Sequence, residues 1–549
     1  MNAGAKRPSY GMAGLGIMWL ALTLAGAQAN DGNTPGSPDL AMQDPSNLSE
    51  APRSPAPDLA LSGVPDGLIT GWNEPLYPAP LPDLRPIKDP SSPDAAPLAE
   101  RAPSDRSLAD ALKLLLQSPV HGQPLTRAEM AELTQLDRYY ASRTYQPLFI
   151  DNTGLTKRGQ GLVKRLGLAA DDGLDVPQNL LSLVKTLTKT EAGLELALAR
   201  AAVSYARDAR GARIEPSRLS KSLTPKLDIP DAEQVLRSLQ SNPDNDAALQ
   251  AFNPQHTGYL ALRSKLQEWR DSTASLPDHL ANRKGEPAVS YPLDTAEFLI
   301  NMERWRWLPA EPGQTRIEVN IPEYTLRLYE NGQLKHTGRV VVGKPNTQTP
   351  LFSSVMDHVV INPSWGVPAS ILKNEFLPKL AADPDYAQRQ GYQVIRNADE
   401  RIIGIRQPPG ERNALGFIKF MFPNEHAVYL HDTPQRSLFA RSERAFSHGC
   451  VRVDQPFALA NVVLSGMGYD ESKLKALIGK GEKTITLQSR LPVHLTYFTL
   501  RVDEHGQIQR FADIYGHDQK VRTALLTSTS KMASLPLKHA TNADLERLR

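Results

Sequence analysis

Cysteine is nearly absent. The 549-residue chain carries one, Cys450, so no intrachain disulfide can brace the fold. Charge of one sign is absent too: 62 Lys and Arg stand against 60 Asp and Glu, a net +2 at pH 7. That balance is too weak to draw the chain to nucleic acid or to an anionic membrane surface. No basic tract and no Cys/His spacing of the zinc type occurs, so nothing points to nucleic acid. Beyond the N-terminus no segment is apolar over the ~20 residues that a bilayer span requires.

What is present is ordinary for a soluble globular protein, with 40% hydrophobic and 22% charged residues. The length exceeds what one core supports and predicts two or three domains. Lys6 and Arg7 precede an apolar stretch from Gly11 to Gly26, and Ala27-Gln28-Ala29 places small residues where a signal peptidase reads. Residues 1–29 therefore read as a secretory signal peptide. The rival is an uncleaved anchor, the one way this chain would touch a membrane. Either way the bulk of the chain is expected outside the cytoplasm. An odd thiol in an oxidising compartment is a liability, so Cys450 is a candidate nucleophile. The alternative is a small buried hydrophobe.

Residues 30–103 are rich in Pro, Ser, Ala and Asp, without apolar periodicity, and read as a disordered tether. Residues 104–270 turn helical. Leu108, Leu112, Leu115 and Leu116 share a face, and Thr188 with Glu191 suggests a capping box for a helix to about Arg210. Further helices are expected from Asp231 to Gln240 and from Tyr259 to Trp269. Residues 271–294 are a polar linker, and a short helix from Glu297 to Trp307 follows. The period then changes to two. Ile317, Val319 and Ile321 alternate with polar neighbours, as do Leu326 and Leu328, before Asn331-Gly332 and the run Val340 to Val342. Asn-Gly between such runs predicts a type I′ hairpin, which needs φ > 0 at both central positions. Short strands are expected at 359–361, 416–421, 427–430 and 450–453. Together these predict an α+β multidomain chain. An all-α scaffold domain precedes a mostly β catalytic sandwich at 295–490, and 491–549 forms C-terminal strands and an extension with a disordered end. The polar, helical excursion at 370–409 is long for a loop, and a lid is expected there.

The chemistry concentrates in Ser447-His448-Gly449-Cys450-Val451-Arg452-Val453. A cysteine nucleophile needs a lowered thiol pKa, which a nearby imidazolium provides. His448 lies two residues from Cys450, on the same face if the segment is a strand. His431 ends the preceding predicted strand and could be brought alongside. Spacing alone does not choose between them. Gly449 lets the backbone come close and present amides to a developing oxyanion.

That heptapeptide, with Tyr429-Leu430-His431-Asp432-Thr433-Pro434 upstream, resembles the L,D-transpeptidases of the YkuD fold, and among them the long YcbB-type branch. Five more segments share the resemblance: Glu303 to Pro309, Val341 to Pro345, Asn362 to Pro368, Arg406 to Gly410 and Lys419 to Asn424. It extends over roughly residues 104–520. It implies Cys450 as nucleophile, His431 as proton acceptor and donor, and the Asp432 carbonyl as orienter of the ring. Gly449, with Cys450, would supply oxyanion amides, and His448 would be auxiliary. Arg452, Trp365, Tyr429 and Ser447 would contact substrate, and 370–409 would cap it. Many YcbB-type members carry a peptidoglycan-binding helical module between scaffold and catalytic domain; residues 271–294 are too short and polar for one.

The implied reaction is peptidoglycan 3→3 cross-linking, in the periplasm, from tetrapeptide stems through a thioester. Acyl transfer of this kind uses no metal or organic cofactor. Stem peptides are the expected partners, with other cell-wall synthesis proteins. Water as acceptor would make an L,D-carboxypeptidase, and a protein amine would make a lipoprotein-tethering enzyme. A catalytically idle cell-wall scaffold is the reading from another class.

Overall fold

The computed structural model describes residues 103–117, 126–174, 190–274 and 295–530. The signal-peptide expectation, nearly all of the tether, the 275–294 part of the linker and the C-terminal end lie outside them. Among the described residues no helix is long and apolar enough to cross a membrane.

The first region is the expected helical scaffold. Helices α1 (Pro103–Gln117), α2 (Arg127–Ala141), α3 (Lys157–Gly167), α4 (Glu191–Ala209) and α5 (Ala232–Ser241) surround one apolar core that includes Leu112, Leu136, Leu162 and Leu236. Polar caps start α2 to α5. The Thr126 hydroxyl and Glu129 form a capping box on α2, and Asp231 and Gln234 form one on α5. The cap of α4 is Thr190, whose side chain accepts the Gly193 N–H, rather than the expected Thr188. A carboxylate organises the core. Glu195 accepts from the Tyr140 hydroxyl at 2.6 Å and from the amides of Leu148, Phe149 and Ile150. Those bonds satisfy a fully buried group that would otherwise be costly.

Helix α6 (Thr257–Ala274) packs Tyr259, Leu262 and Leu266 against Phe298, Met302 and Trp305 of α7 (Thr295–Trp305). A buried ion pair, Arg213 to Glu303 at 2.6 Å, reinforces the junction.

Nine strands then form one sheet: β1 (Arg316–Asn320), β2 (Thr325–Glu330), β3 (Gln333–Gly343), β4 (Phe352–Ile361), β5 (Ile418–Met421), β6 (Leu430–His431), β7 (Ala445–Ser447), β8 (Val451–Val453) and β9 (Lys483–Thr496). Their order is β7-β3-β8-β6-β5-β4-β9-β1-β2, and β2 pairs back onto β3, which closes the sheet on itself. The alternating Ile317, Val319, Leu326 and Leu328 point into the enclosed core. The β2–β3 turn is the predicted Asn331-Gly332, with φ of 50° and 77°. Strand β9 runs to Thr496 and pairs in parallel with β1, Val493 beside Ile317. The expected catalytic boundary at residue 490 therefore cuts a strand; the sheet ends later. The scaffold also reaches the sheet. Leu223 bridges Leu351, and Leu223 and Ile214 enter the core of the sheet.

The excursion at 370–409 is a small folded unit. Helical turns from Ala369 to Ala382 and Tyr386–Arg389 pack Leu372, Phe376, Leu380 and Ala387 against Ile405. Two strands that the sequence reading missed, Gln393–Arg396 and Ile402–Gln407, join Trp365–Gly366 in a three-stranded sheet.

Candidate active site

Strand pairing assembles the site. β6 lies parallel to β8, with Leu430 beside Val451 and His431 beside Arg452. On its other side β6 is antiparallel to β5, with Lys419 beside His431. Paired residues project to the same side of a sheet, and so do residues two apart along a strand. Lys419, His431, Arg452 and Tyr429 therefore share one face. Cys450, immediately before β8, sits at its margin. The Val451 N–H donates to the Tyr429 carbonyl at 3.1 Å. The half-buried Cys450 thiol lies 3.9 Å from the Ala427 carbonyl, with Tyr429 among the groups that act on its ionisation.

The loop ahead of the thiol is fixed from within. Ser447 is buried, and its hydroxyl donates to the Cys450 carbonyl at 2.5 Å while accepting the Gly449 N–H at 3.1 Å. Gly449 has φ of +117°, a conformation that strains other residues. The β3–β4 connection holds the loop from outside. Thr349 Oγ1 donates to the Gly449 carbonyl at 2.7 Å, and Thr347 Oγ1 donates to the Ser447 carbonyl at 3.1 Å. Gly343 permits this approach, because a Cβ there would stand 2.1 Å from the Thr347 carbonyl oxygen.

His431 is buried, and its Nδ1 lies 2.5 Å from the Asp432 carbonyl oxygen. A carbonyl only accepts, so Nδ1 carries the proton and Nε2 keeps its lone pair. Burial, with the Arg452 and Lys419 cations, pushes the imidazole down to about 3. Desolvation raises the Cys450 thiol; Tyr429 hydrogen bonds, Lys419 and Arg452 pull it the other way without prevailing. At neutral pH both groups are thus uncharged. This corrects the expected imidazolium and lowered thiol: the proton must move during attack. The Asp432 carboxylate is spent on structure. It accepts from the amides of Phe417 at 2.9 Å and Thr433 at 2.6 Å and pairs with Arg436.

Three sequence expectations change. The Gly449 amide is committed to Ser447, whereas the Cys450 amide has no partner among the described residues, so of the two amides expected to face an oxyanion only that of Cys450 is unengaged. Ser447, buried with its hydroxyl engaged on both sides, is a loop brace rather than a substrate contact. His448 turns away to the 370–409 excursion, where its Nε2 meets Glu375 Oε1 at 2.9 Å. Residues 448–450 are bent rather than extended, so a two-residue spacing does not bring His448 and Cys450 to one face. Arg452 donates to Gln435 at 2.6 Å and has no carboxylate partner among the described residues. Trp365 belongs to the three-stranded sheet of the 370–409 excursion and adjoins Tyr429, its ring centroid 6.3 Å from that of Tyr392. The sequence reading placed Lys419 in the resembling segment Lys419 to Asn424 and gave it no site role. Its position opposite His431 emerges only from strand register.

No cluster of metal-ligating side chains occurs among the described residues. The family profile of an L,D-transpeptidase catalytic domain matches residues 314–478, and that of a scaffold domain matches residues 134–266. A Haemophilus influenzae protein provisionally named an L,D-transpeptidase is 30% identical over 408 residues, covering 71% of this chain and 79% of its own. Among solved structures, an L,D-transpeptidase from Mycobacterium smegmatis shares 12% identity over 33% of this chain and 58% of its own, with a TM-score of 0.19. The catalytic domain of an E. faecium L,D-transpeptidase acylated by ertapenem shares 15% identity over 33% of this chain and 96% of its own, with a TM-score of 0.15.

Proposed function

As the chain belongs to the L,D-transpeptidase family, we propose that it is an exported enzyme that joins peptidoglycan stems by 3→3 cross-links through a thioester on Cys450. The observation that carries the reading is His431, held by Asp432 with Nε2 unprotonated, on the face that ends at Cys450. The Cys450 proton passes to Nε2 as sulfur attacks the carbonyl at the L-centre of the third stem residue. Negative charge grows on the carbonyl oxygen, and the open Cys450 amide is placed to receive it. The bond to D-Ala breaks, and His431 returns the proton to the leaving amine. A side-chain amine of a neighbouring stem then gives its proton to His431 and attacks the thioester. The sulfur leaves and is reprotonated. Export is supported by Lys6, Arg7 and the apolar stretch that ends at Ala27-Gln28-Ala29. Periplasmic location and contact with other cell-wall synthesis proteins belong to the same proposal.

Purified protein incubated with disaccharide-tetrapeptide should yield a cross-linked dimer by mass spectrometry. Trimmed tripeptide alone would make the enzyme an L,D-carboxypeptidase, and unchanged substrate would sink the catalytic reading. A carbapenem presents a strained acyl carbon to the same sulfur. Incubation should add one carbapenem per chain in the intact mass, with the adduct on Cys450 after digestion. An unmodified mass from enzyme that turns over tetrapeptide would contradict the shared acylation route.

The folded excursion at 370–409 touches the nucleophile loop through Glu375 and His448, and it carries its own apolar core. A thioester must favour an amine over abundant water, and a cover that excludes water does this. Replacing residues 373–403 with a short Gly/Ser linker should preserve Cys450 acylation and lower the dimer-to-tripeptide ratio about tenfold or more. An unchanged ratio at normal turnover would show that the unit is not a lid. Loss of acylation would assign it to the donor site or the fold.

A further inference from the structure

We propose that Lys419 is a donor-binding residue, a second cation beside Arg452 that receives a carboxylate of the acyl-donor stem. The inference rests on the transpeptidase reading and adds to it a residue and a substrate group.

Three observations place Lys419 there. Its strand position is directly opposite His431, whose other neighbour is Arg452, so the two cations flank the imidazole. Its ammonium lies 4.8 Å from the centre of the Tyr429 ring, the residue that reaches the Cys450 thiol. It also has no hydrogen bond or ion pair to any protein group among the described residues. Among the described residues the buried side chains of Arg165, Arg213 and Arg304 are paired with Asp172, Glu303 and Asp518, whereas half-buried Lys419 has no such partner. Glu482 acts on Lys419 from beyond ion-pair distance, its carboxylate accepting the Ser364 amide at 2.7 Å.

Lys419 is half-buried, and the desolvation that its unpaired ammonium does suffer is a cost that an incoming anion offsets. Burial draws the Lys419 ammonium below its ordinary value, in keeping with that cost. Arg452 lacks a carboxylate as well, and its Nε is buried without a partner. A tetrapeptide stem has carboxylates near both sides of the scissile bond. One ends the departing D-Ala. The other lies at the far end of the third residue when that residue is a diamino diacid. Both offer the same chemistry to Lys419, and amidation tells them apart.

The test measures acylation of wild-type, Lys419→Met and Lys419→Arg enzyme with three donors: native tetrapeptide, its D-Ala carboxamide, and its third-residue side-chain carboxamide. One amidation should cost the wild type about 10- to 100-fold in kcat/KM, as loss of a charged hydrogen bond does. Lys419→Met should lose a similar factor on the native donor and nothing further on that same amide. Lys419→Arg should recover most of the loss. Two results overturn the proposal. One is an equal penalty for amidation in wild type and Lys419→Met. The other is a loss on the native donor wholly accounted for by the shift in the pH profile of Cys450 alkylation in the free Lys419→Met enzyme, with no part that depends on the donor's carboxylate. If the wild type turns over no donor, the transpeptidase reading fails. Tetrapeptide titrated into Cys450→Ser protein then decides the receptor by itself. Binding weakened tenfold or more by adding Lys419→Met supports it, and unchanged binding refutes it.

Discussion

Cys450→Ala is expected to abolish dimer formation from tetrapeptide, with a loss of roughly 10⁴- to 10⁶-fold, as removal of a covalent nucleophile does. No second nucleophile stands in reserve: Cys450 is the chain's one thiol, and the Ser447 hydroxyl is buried in the loop's own hydrogen bonds. The fold should survive. The thiol is half-buried, and its hydrogen bond to the Ala427 carbonyl, at 3.9 Å, is a weak one. Losing one sulfur atom there should cost about 1 kcal/mol or less. Product analysis reads the first expectation and thermal unfolding the second. Dimer formed at a normal rate by the alanine variant would refute the thioester route.

His431→Ala should lower acylation by ~10²–10⁴-fold, the usual contribution of a positioned base. His448→Ala should cost less, since its ring is turned to Glu375. Both groups of the Cys450–His431 pair are uncharged at rest, so the alanine variant loses the acceptor of a proton that has not yet left sulfur. Acylation kinetics with tetrapeptide separate the two histidines, and a larger loss from His448→Ala would reverse the roles. A pH signature accompanies the substitution. The folded imidazole titrates at about 3 and the unfolded one near its ordinary 6.5. Between these values the unfolded chain binds a proton that the folded one refuses. Stability due to neutral His431 is therefore complete above the ordinary value and is lost as pH falls through this window. Unfolding free energy of His431→Ala should decline less steeply over the same range.

Legibility in the sequence followed locality. Asn331-Gly332 was readable because a type I′ turn depends on two adjacent residues. The aliphatic alternation in β1 and β2 was readable because one face of each is buried. Gln393–Arg396 and Ile402–Gln407 left little signal. They belong to a small, half-exposed sheet that buries only Ile405 and Gln407 between them. The two histidines could not be ranked from spacing, because the parallel pairing of β6 with β8 is non-local and the positive φ of Gly449 breaks the local alternation. Lys419 lies in Ile418-Lys419-Phe420-Met421, where a lone Lys reads as the solvent side of a strand. Its neighbour His431 is visible only in the folded register.

The position of β9 sets an order on assembly. It is the last strand of the sheet to be synthesised, yet it lies between β4 and β1, which are made far earlier. Until it arrives those two strands present bare edges, and such edges recruit other chains. Closing the sheet therefore waits on contacts between distant parts of the chain, a topology that folds slowly. A polypeptide made N-terminus first would spend that interval with its nucleophile already synthesised and its sheet still unsealed.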